Sequence, residues 1–149
     1  MADDTLLEIK DLKTYFFLDE GTVKAVDGAH LIMERGGTLG VVGESGCGKS
    51  VTAFSILQLV EKPGRIVSGE ILYHRRPTKG QSEIVDLAKI NANSKQIRSI
   101  RGGEIAMIFQ EPMTSLSPVH TIGHQIGQAI QIHRNVTKAE AREQTIDVL

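Results

Sequence analysis

TLGVVGESGCGKSVTA, residues 38–53, decides the fold, because a short apolar run, a glycine-rich turn and the start of a helical pattern follow one another without a gap. The run Thr38 to Val42 is short and valine-rich, which predicts a buried central strand. The turn that follows, Gly43 to Ser50, fulfils the pattern G-x-x-x-x-G-K-[ST] in full. Its position between a strand and a helix start is the one phosphate binding needs. There, successive backbone N–H groups and the positive helix end converge on anionic oxygens. Gly43, Gly46 and Gly48 permit dihedrals and close approaches that a Cβ would obstruct. Lys49 supplies a positive charge for the β and γ phosphates, and the Ser50 hydroxyl a magnesium ligand. Glu44, Ser45, Cys47 and Val51 complete the set expected to line a nucleoside triphosphate. The competing reading, a glycine-rich turn with an exposed lysine, does not account for the flanking strand and helix.

Outward from that loop, the chain reads as strands alternating with helices. Leu6 to Leu12 alternates apolar and polar residues, and Val23 to Met33 is strand material with a bend at Asp27-Gly28. Glu34 to Gly37 is a turn. The helix after the loop is predicted from about Gly48 to Val60, ending before Pro63-Gly64. Ser68 to His74 and Ser82 to Asp86 form a hairpin around the exposed insert RRPTKGQ, residues 75–81. Ser94 to Arg101 suits a short helix ending at Gly102-Gly103. Glu104 to Phe109, EIAMIF, reads as another buried strand, and Glu111 to Pro118 is rich in turn formers. Ile122, Ile126, Ala129 and Ile130 recur at helical spacing, and Thr137 to Glu140 is a capping-box pattern that opens a last helix. No stop signal closes that helix, so the expectation is the front part of a larger domain.

Bulk properties narrow the functions. At 149 residues with 40% apolar content the chain can build a core of its own. Its apolar stretches fall short of the roughly 20 residues of a spanning helix. Seventeen basic against eighteen acidic residues give a net charge of -1, without the basic excess that duplex nucleic acid favours, so nucleic acid is not an expected partner. The acidic start, MADDTLLEIK, does not resemble a secretory signal. A single cysteine, Cys47, forms no internal disulfide, in keeping with a reducing, cytoplasmic location.

Three segments together, KAVDG (Lys24 to Gly28), ERGGTLGVVGESGCGKSVTA (Glu34 to Ala53) and EIAMIFQEPMTSLSPVHTIGHQI (Glu104 to Ile126), closely resemble the ATP-binding subunits of oligopeptide/dipeptide ABC importers. The resemblance spans nearly the whole chain. It implies an α/β P-loop NTPase core of the ABC ATPase type with an antiparallel β subdomain, truncated before the helical subdomain is complete. Residues 1–110 would be the β subdomain and P-loop core, and 111–149 the Q-loop and the start of the helical subdomain. It further implies ATP and Mg2+ as ligands, with Gln110 as the Q-loop glutamine that touches the metal and the attacking water and reports nucleotide state to membrane subunits. A neutral amide suits that task, since it donates to and accepts from water without titrating. An aromatic residue of the first strand is expected to stack on adenine, and the spacing from Asp11 selects Phe16, with Tyr15 on the opposite face. The implied partners are two polytopic membrane permease subunits, a second ATP-binding subunit, and indirectly an extracytoplasmic solute-binding protein. The implied location is the cytoplasmic face of the membrane.

Two departures stand out. Ser117 occupies a position where asparagine is usual in the family, and the insert around Arg75 to Gln81 is longer than the typical turn. The chain also carries no LSGGQ-like signature, no acidic pair after a downstream apolar strand and no switch histidine, so binding of ATP without hydrolysis is expected. Tyr15 to Glu20 has the look of a Walker B strand, but it precedes the loop and runs into Gly21, which makes Asp19-Glu20 a hairpin turn. His120 and His124, four apart, lack a third metal ligand, and the basic residues Lys95, Arg98 and Arg101 read as solvated helix-end charges. A soluble P-loop kinase would need an arginine-rich lid and an acceptor pocket, neither of which is evident. A non-catalytic nucleotide-binding module remains the alternative.

Overall fold

In a computed structural model, residues 4–76, 82–110 and 116–149 are described. The chain forms two compact units, Met1–Ile97 and Arg98–Leu149. The first is built on an antiparallel sheet of order β2-β1-β3-β4, with β1 Thr5–Leu18, β2 Gly21–Glu34, β3 Gly64–Arg75 and β4 Glu83–Asp86. The turn at Asp19-Glu20 joins β1 to β2, Leu18 pairing with Gly21, so the acidic pair closes a hairpin as the sequence predicts.

β1 is twice the length that alternation alone indicates, because a bulge divides it. Leu7 and Ile9 are buried, Asp11 takes φ 45°, and the buried positions become Leu12 and Thr14. One extra residue moves every later side chain to the other face. The partner strand β3 meets the bulge with Gly69 at φ 102°, where a Cβ would lie 2.5 Å from the Asp11 carbonyl oxygen. Beyond the bulge, Leu12, Thr14 and Phe16 share one face and Lys13, Tyr15 and Phe17 the other. Ile9, Leu12, Ile71 and Leu87 are fully buried in this unit. Each contributes about 2 kcal/mol by leaving water.

The helix α1, Lys49–Ile56, ends four residues earlier than the predicted Val60. Gln58 adopts φ 54°, the Leu59 N–H donates to the Phe54 carbonyl at 2.8 Å and the Gln58 N–H to that of Ser55 at 3.1 Å, a Schellman stop. Glycine is the usual residue there. Glutamine compensates by donating its side-chain amide to the carbonyls of Leu87 at 2.7 Å and Ala88 at 3.2 Å, tying the end of α1 to the loop after β4.

The two apolar runs predicted as buried strands are not strands. Thr38 to Val42 joins no ladder among the described residues, with Val42 97% exposed. In Glu104 to Phe109, among the described residues, only Ile105 forms a bridge, to Arg101, and Ile108 is 95% exposed. Apolar composition makes a run suitable for burial, but a strand also needs neighbouring backbone to bond with.

A short helix, α2 (Lys95–Ile100), carries the buried Ile97 and Ile100 and stops at Gly102, φ 76°. In the second unit, α3 spans Ile122–His133 and α4 Lys138–Asp147. The capping box at the start of α4 is complete: the Glu140 N–H donates to Thr137 Oγ1 at 3.3 Å, and Glu140 Oε2 accepts from the Thr137 N–H at 2.7 Å. The tip of the insert, residues 77–81, and the first residues of the turn-rich stretch, 111–115, lie outside the described residues. No described helix is long and apolar enough to cross a membrane.

Candidate functional site

The phosphate loop belongs to the first unit, and its geometry follows from its glycines. Gly46 and Gly48 take φ 84° and 93°, in the left-handed region. Gly48 caps α1 from that conformation, its carbonyl accepting from the Thr52 N–H at 2.8 Å and the Thr52 hydroxyl at 3.0 Å. It also lies against β2, where an added Cβ would sit 2.3 Å from the Ala25 carbonyl oxygen. A Cβ on Gly43 would meet Cys47 Sγ at 2.6 Å. Gly48 is thus closed to other residues by fixed backbone, whereas at Gly43 the Cys47 side chain would have to turn aside, and Gly46 has open space and needs only its dihedral.

Lys49 curls back over the loop. Its ammonium donates to the Gly43 carbonyl at 2.7 Å and the Glu44 carbonyl at 2.8 Å, with Cys47 Sγ 3.5 Å away. Five of the predicted residues, Gly43, Glu44, Ser45, Gly46 and Cys47, are exposed along the loop, and Ser50 is exposed on the first turn of α1, with Val51 half-buried beside it. The arrangement is a ring of backbone around one cation, open to solvent at a helix N-terminus. It suits a polyphosphate, which brings several anionic oxygens at once.

A divalent cation fits only in company with such an anion. Among the described residues no three His, Cys, Asp or Glu side chains cluster to hold a metal. The Ser50 hydroxyl is a single neutral oxygen, the kind of ligand magnesium takes when phosphate oxygens and water fill its other positions. His120 and His124 stack, ring centroids 5.4 Å apart, and His120 Nδ1 lies 3.1 Å from the Ser117 hydroxyl.

Phe16 lies on the face of the sheet that carries α1. Its ring rests on Gly64 and beside Val60: a Cβ on Gly64 would be 2.6 Å from Phe16 Cε1 and 2.8 Å from Val60 Cγ1. Tyr15, on the opposite face, donates its hydroxyl to Asp27 at 2.6 Å and lies under the Lys24 ammonium, 5.5 Å from its ring. The hydrogen bond to Asp27 raises the Tyr15 pKa, and the same bond lowers that of Asp27. Gln110 is exposed and lies in the second unit. The first unit therefore unites the loop, Ser50 and Phe16, while Gln110 is carried separately. A groove of about 590 Å³ between α3 and α4, lined by Thr121, His124, Gln128 and Arg142 among others, contains none of the predicted site residues.

Sequence reasoning missed two polar ties. Ser55 on α1 and Thr14 on β1, both fully buried, share a hydrogen bond of 2.9 Å. Gln125 holds the turn before α3, accepting from the Ser117 N–H at 2.8 Å and donating to the carbonyls of Ser117 at 3.1 Å and His120 at 2.9 Å. Ser55 and Gln125 fit their helices equally well as solvated positions, so only the folded partners, distant for Ser55 and nearby for Gln125, reveal either tie.

The profile of the ABC transporter family matches residues 26–149. A probable peptide ABC transporter ATP-binding protein of Sinorhizobium fredii is 47% identical over 147 residues, covering 98% of this chain and 41% of that protein. An oligopeptide transport ATP-binding protein of Bacillus subtilis is 44% identical over 146 residues, covering 97% and 41%. A glutathione import ATP-binding protein of Escherichia coli is 41% identical over 136 residues, covering 91% and 21%. The chain spans less than half the length of these relatives. Among solved structures, the dimeric post-hydrolysis state of the ATP-binding cassette MJ0796 bound to ADP and Pi superimposes with a TM-score of 0.75 over 95% of this chain and 55% of that one, at 17% identity, which establishes the fold as that of an ABC-type ATPase. With the family matched from Val26 through the phosphate loop to Leu149, this chain belongs to the ABC transporter family.

Proposed function

We propose that this chain holds ATP with magnesium for an ABC importer of peptides or related solutes. The observation that carries the reading is the Lys49 ammonium, gathered by the Gly43 and Glu44 carbonyls at the mouth of a glycine loop that opens on α1. A triphosphate offers that ammonium charged acceptors in place of neutral ones, and charge-assisted hydrogen bonds are about twice as strong. Backbone N–H groups from Gly43 to Ser50 cradle the β and γ phosphates, Ser50 faces the magnesium, and Glu44, Ser45, Cys47 and Val51 line the remainder. Phe16 stacks on adenine, and Gln110 contacts the metal and orients water. The names of the relatives, which speak of peptide, oligopeptide and glutathione transport or import, support the solute class.

In this reading, residues 1–110 form the β subdomain and phosphate-loop core and 111–149 the Q-loop and the start of a helical subdomain. The partners are two polytopic permease subunits and a second ATP-binding subunit, at the cytoplasmic face of a membrane, with a solute-binding protein acting indirectly. The loop and Gln110 supply only part of a hydrolytic constellation, so the 149-residue chain binds ATP without turning it over. Phosphate release from magnesium-ATP should match that of a Lys49→Ala control. Turnover above the control would contradict binding without hydrolysis and direct mutagenesis to Asp19 and Glu20.

A further inference from the structure

We propose that the buried Thr14–Ser55 hydroxyl pair is a positioning element that fixes the separation between Phe16 and the phosphate loop. The proposal rests on the reading of those two features as the base and phosphate ends of one nucleotide site.

The bond has a definite direction. Ser55 Oγ lies 2.7 Å from the Val51 carbonyl, which only accepts, so the one Ser55 proton goes there. Thr14 must then donate to Ser55 Oγ across 2.9 Å. The chain of donors runs from β1, two residues before Phe16, through Ser55 in the last turn of α1 to the carbonyl of Val51, the residue after Ser50. Both hydroxyl residues are fully buried.

Stability alone does not explain such a pair. Two hydroxyls in a core gain little over two methyl groups of the same shape, because their mutual bond only offsets lost hydration. A hydrogen bond does, however, fix distance and direction, whereas apolar surfaces slide. α1 meets the sheet at two points around this bond. At its start Gly48 lies against Ala25 of β2, and beyond its end Val60 lies beside the Phe16 ring. The Thr14–Ser55 bond lies between the two along the helix, where it prevents α1 from shifting along its axis. Such a shift would change the span between ring and loop.

The test compares two ligands, magnesium-ATP and magnesium-tripolyphosphate, whose affinity ratio reports the contribution of the base. In Thr14→Val/Ser55→Ala both hydroxyls are replaced together, so no buried group is orphaned and the urea midpoint should stay near that of the wild type. The ratio should fall about fivefold, the loss expected when a shifted ring forfeits part of its stacking on the base. Thr14→Ser, which keeps the hydroxyl, should retain the wild-type ratio. An unchanged ratio in the folded double variant, with both affinities intact or falling together, would overturn the proposal. Phe16→Ala separates the causes. If it lowers the ratio while the double variant does not, the positioning role fails alone; if it too leaves the ratio unchanged, the reading of Phe16 fails with it.

Discussion

Gly48→Ala and Gly46→Ala should differ sharply in stability although both alter left-handed glycines of the same loop. At each, alanine must hold a positive φ, 93° or 84°, which costs about 1–2 kcal/mol. At Gly46 nothing lies within 4 Å of the added methyl group, so that is the whole cost. At Gly48 the methyl would stand 2.3 Å from the Ala25 carbonyl oxygen, with the Ala25 carbonyl carbon and Val26 Cγ2 both at 3.4 Å. The oxygen is backbone, held in β2, so α1 must retreat by about 1 Å to reach van der Waals distance. Overpacking of this kind adds about 1–3 kcal/mol, for a total near 3 kcal/mol. With a urea slope of about 1.5 kcal/mol/M, the midpoint should fall by about 2 M for Gly48→Ala and by about 1 M or less for Gly46→Ala. Urea unfolding followed by circular dichroism, with the slope unchanged, measures both. Equal shifts, or a larger one at Gly46, would refute the claim that Gly48 is closed by its contact with β2.

Other consequences are equally open to measurement. Cys47 is exposed in the loop beside Lys49, so a maleimide should label it, bound magnesium-ATP should slow the labelling, and the adduct should block ATP; labelling indifferent to nucleotide would place Cys47 outside the binding surface. Backbone and side-chain hydrogen bonds from Thr137 lower the Glu140 pKa, so its contribution to α4 is present above the ordinary carboxylate value and is lost as pH falls through the lowered folded value. Glu140→Gln should therefore flatten the acid limb of the helical circular dichroism signal, and an unaltered limb would refute the link. If Phe16 stacks without reading base edges, GTP should compete with ATP to within about tenfold and Phe16→Ala should weaken both.

What could be read from sequence was what is locally encoded. Thr137 and Glu140 find each other three residues apart, Asp19-Glu20 turns where two apolar runs meet Gly21, and the spacing of Gly43, Gly48 and Lys49 specifies a loop whatever surrounds it. The rest depended on partners distant in the chain. Thr38 to Val42 and Glu104 to Phe109 have strand composition, yet neither forms a strand ladder among the described residues, because composition cannot provide the neighbouring backbone. Gln58 looked like an ordinary helical residue, and only the carbonyls of Leu87 and Ala88 explain its left-handed stop. The Asp11 bulge was likewise hidden, since a period-2 pattern does not announce where it changes face. Alternation puts Phe16 and Tyr15 on opposite faces, as the structure has them, because the Asp11 bulge lies before both.

Calorimetric titration of the chain with magnesium-ATP, set beside Lys49→Ala, tests the central claim most directly. The wild type should bind one ATP, and the variant, without the ammonium that the loop gathers, should bind at least about tenfold more weakly. Equal affinities, or no binding by the wild type, would contradict the assignment of Gly43 to Ser50 as the phosphate site.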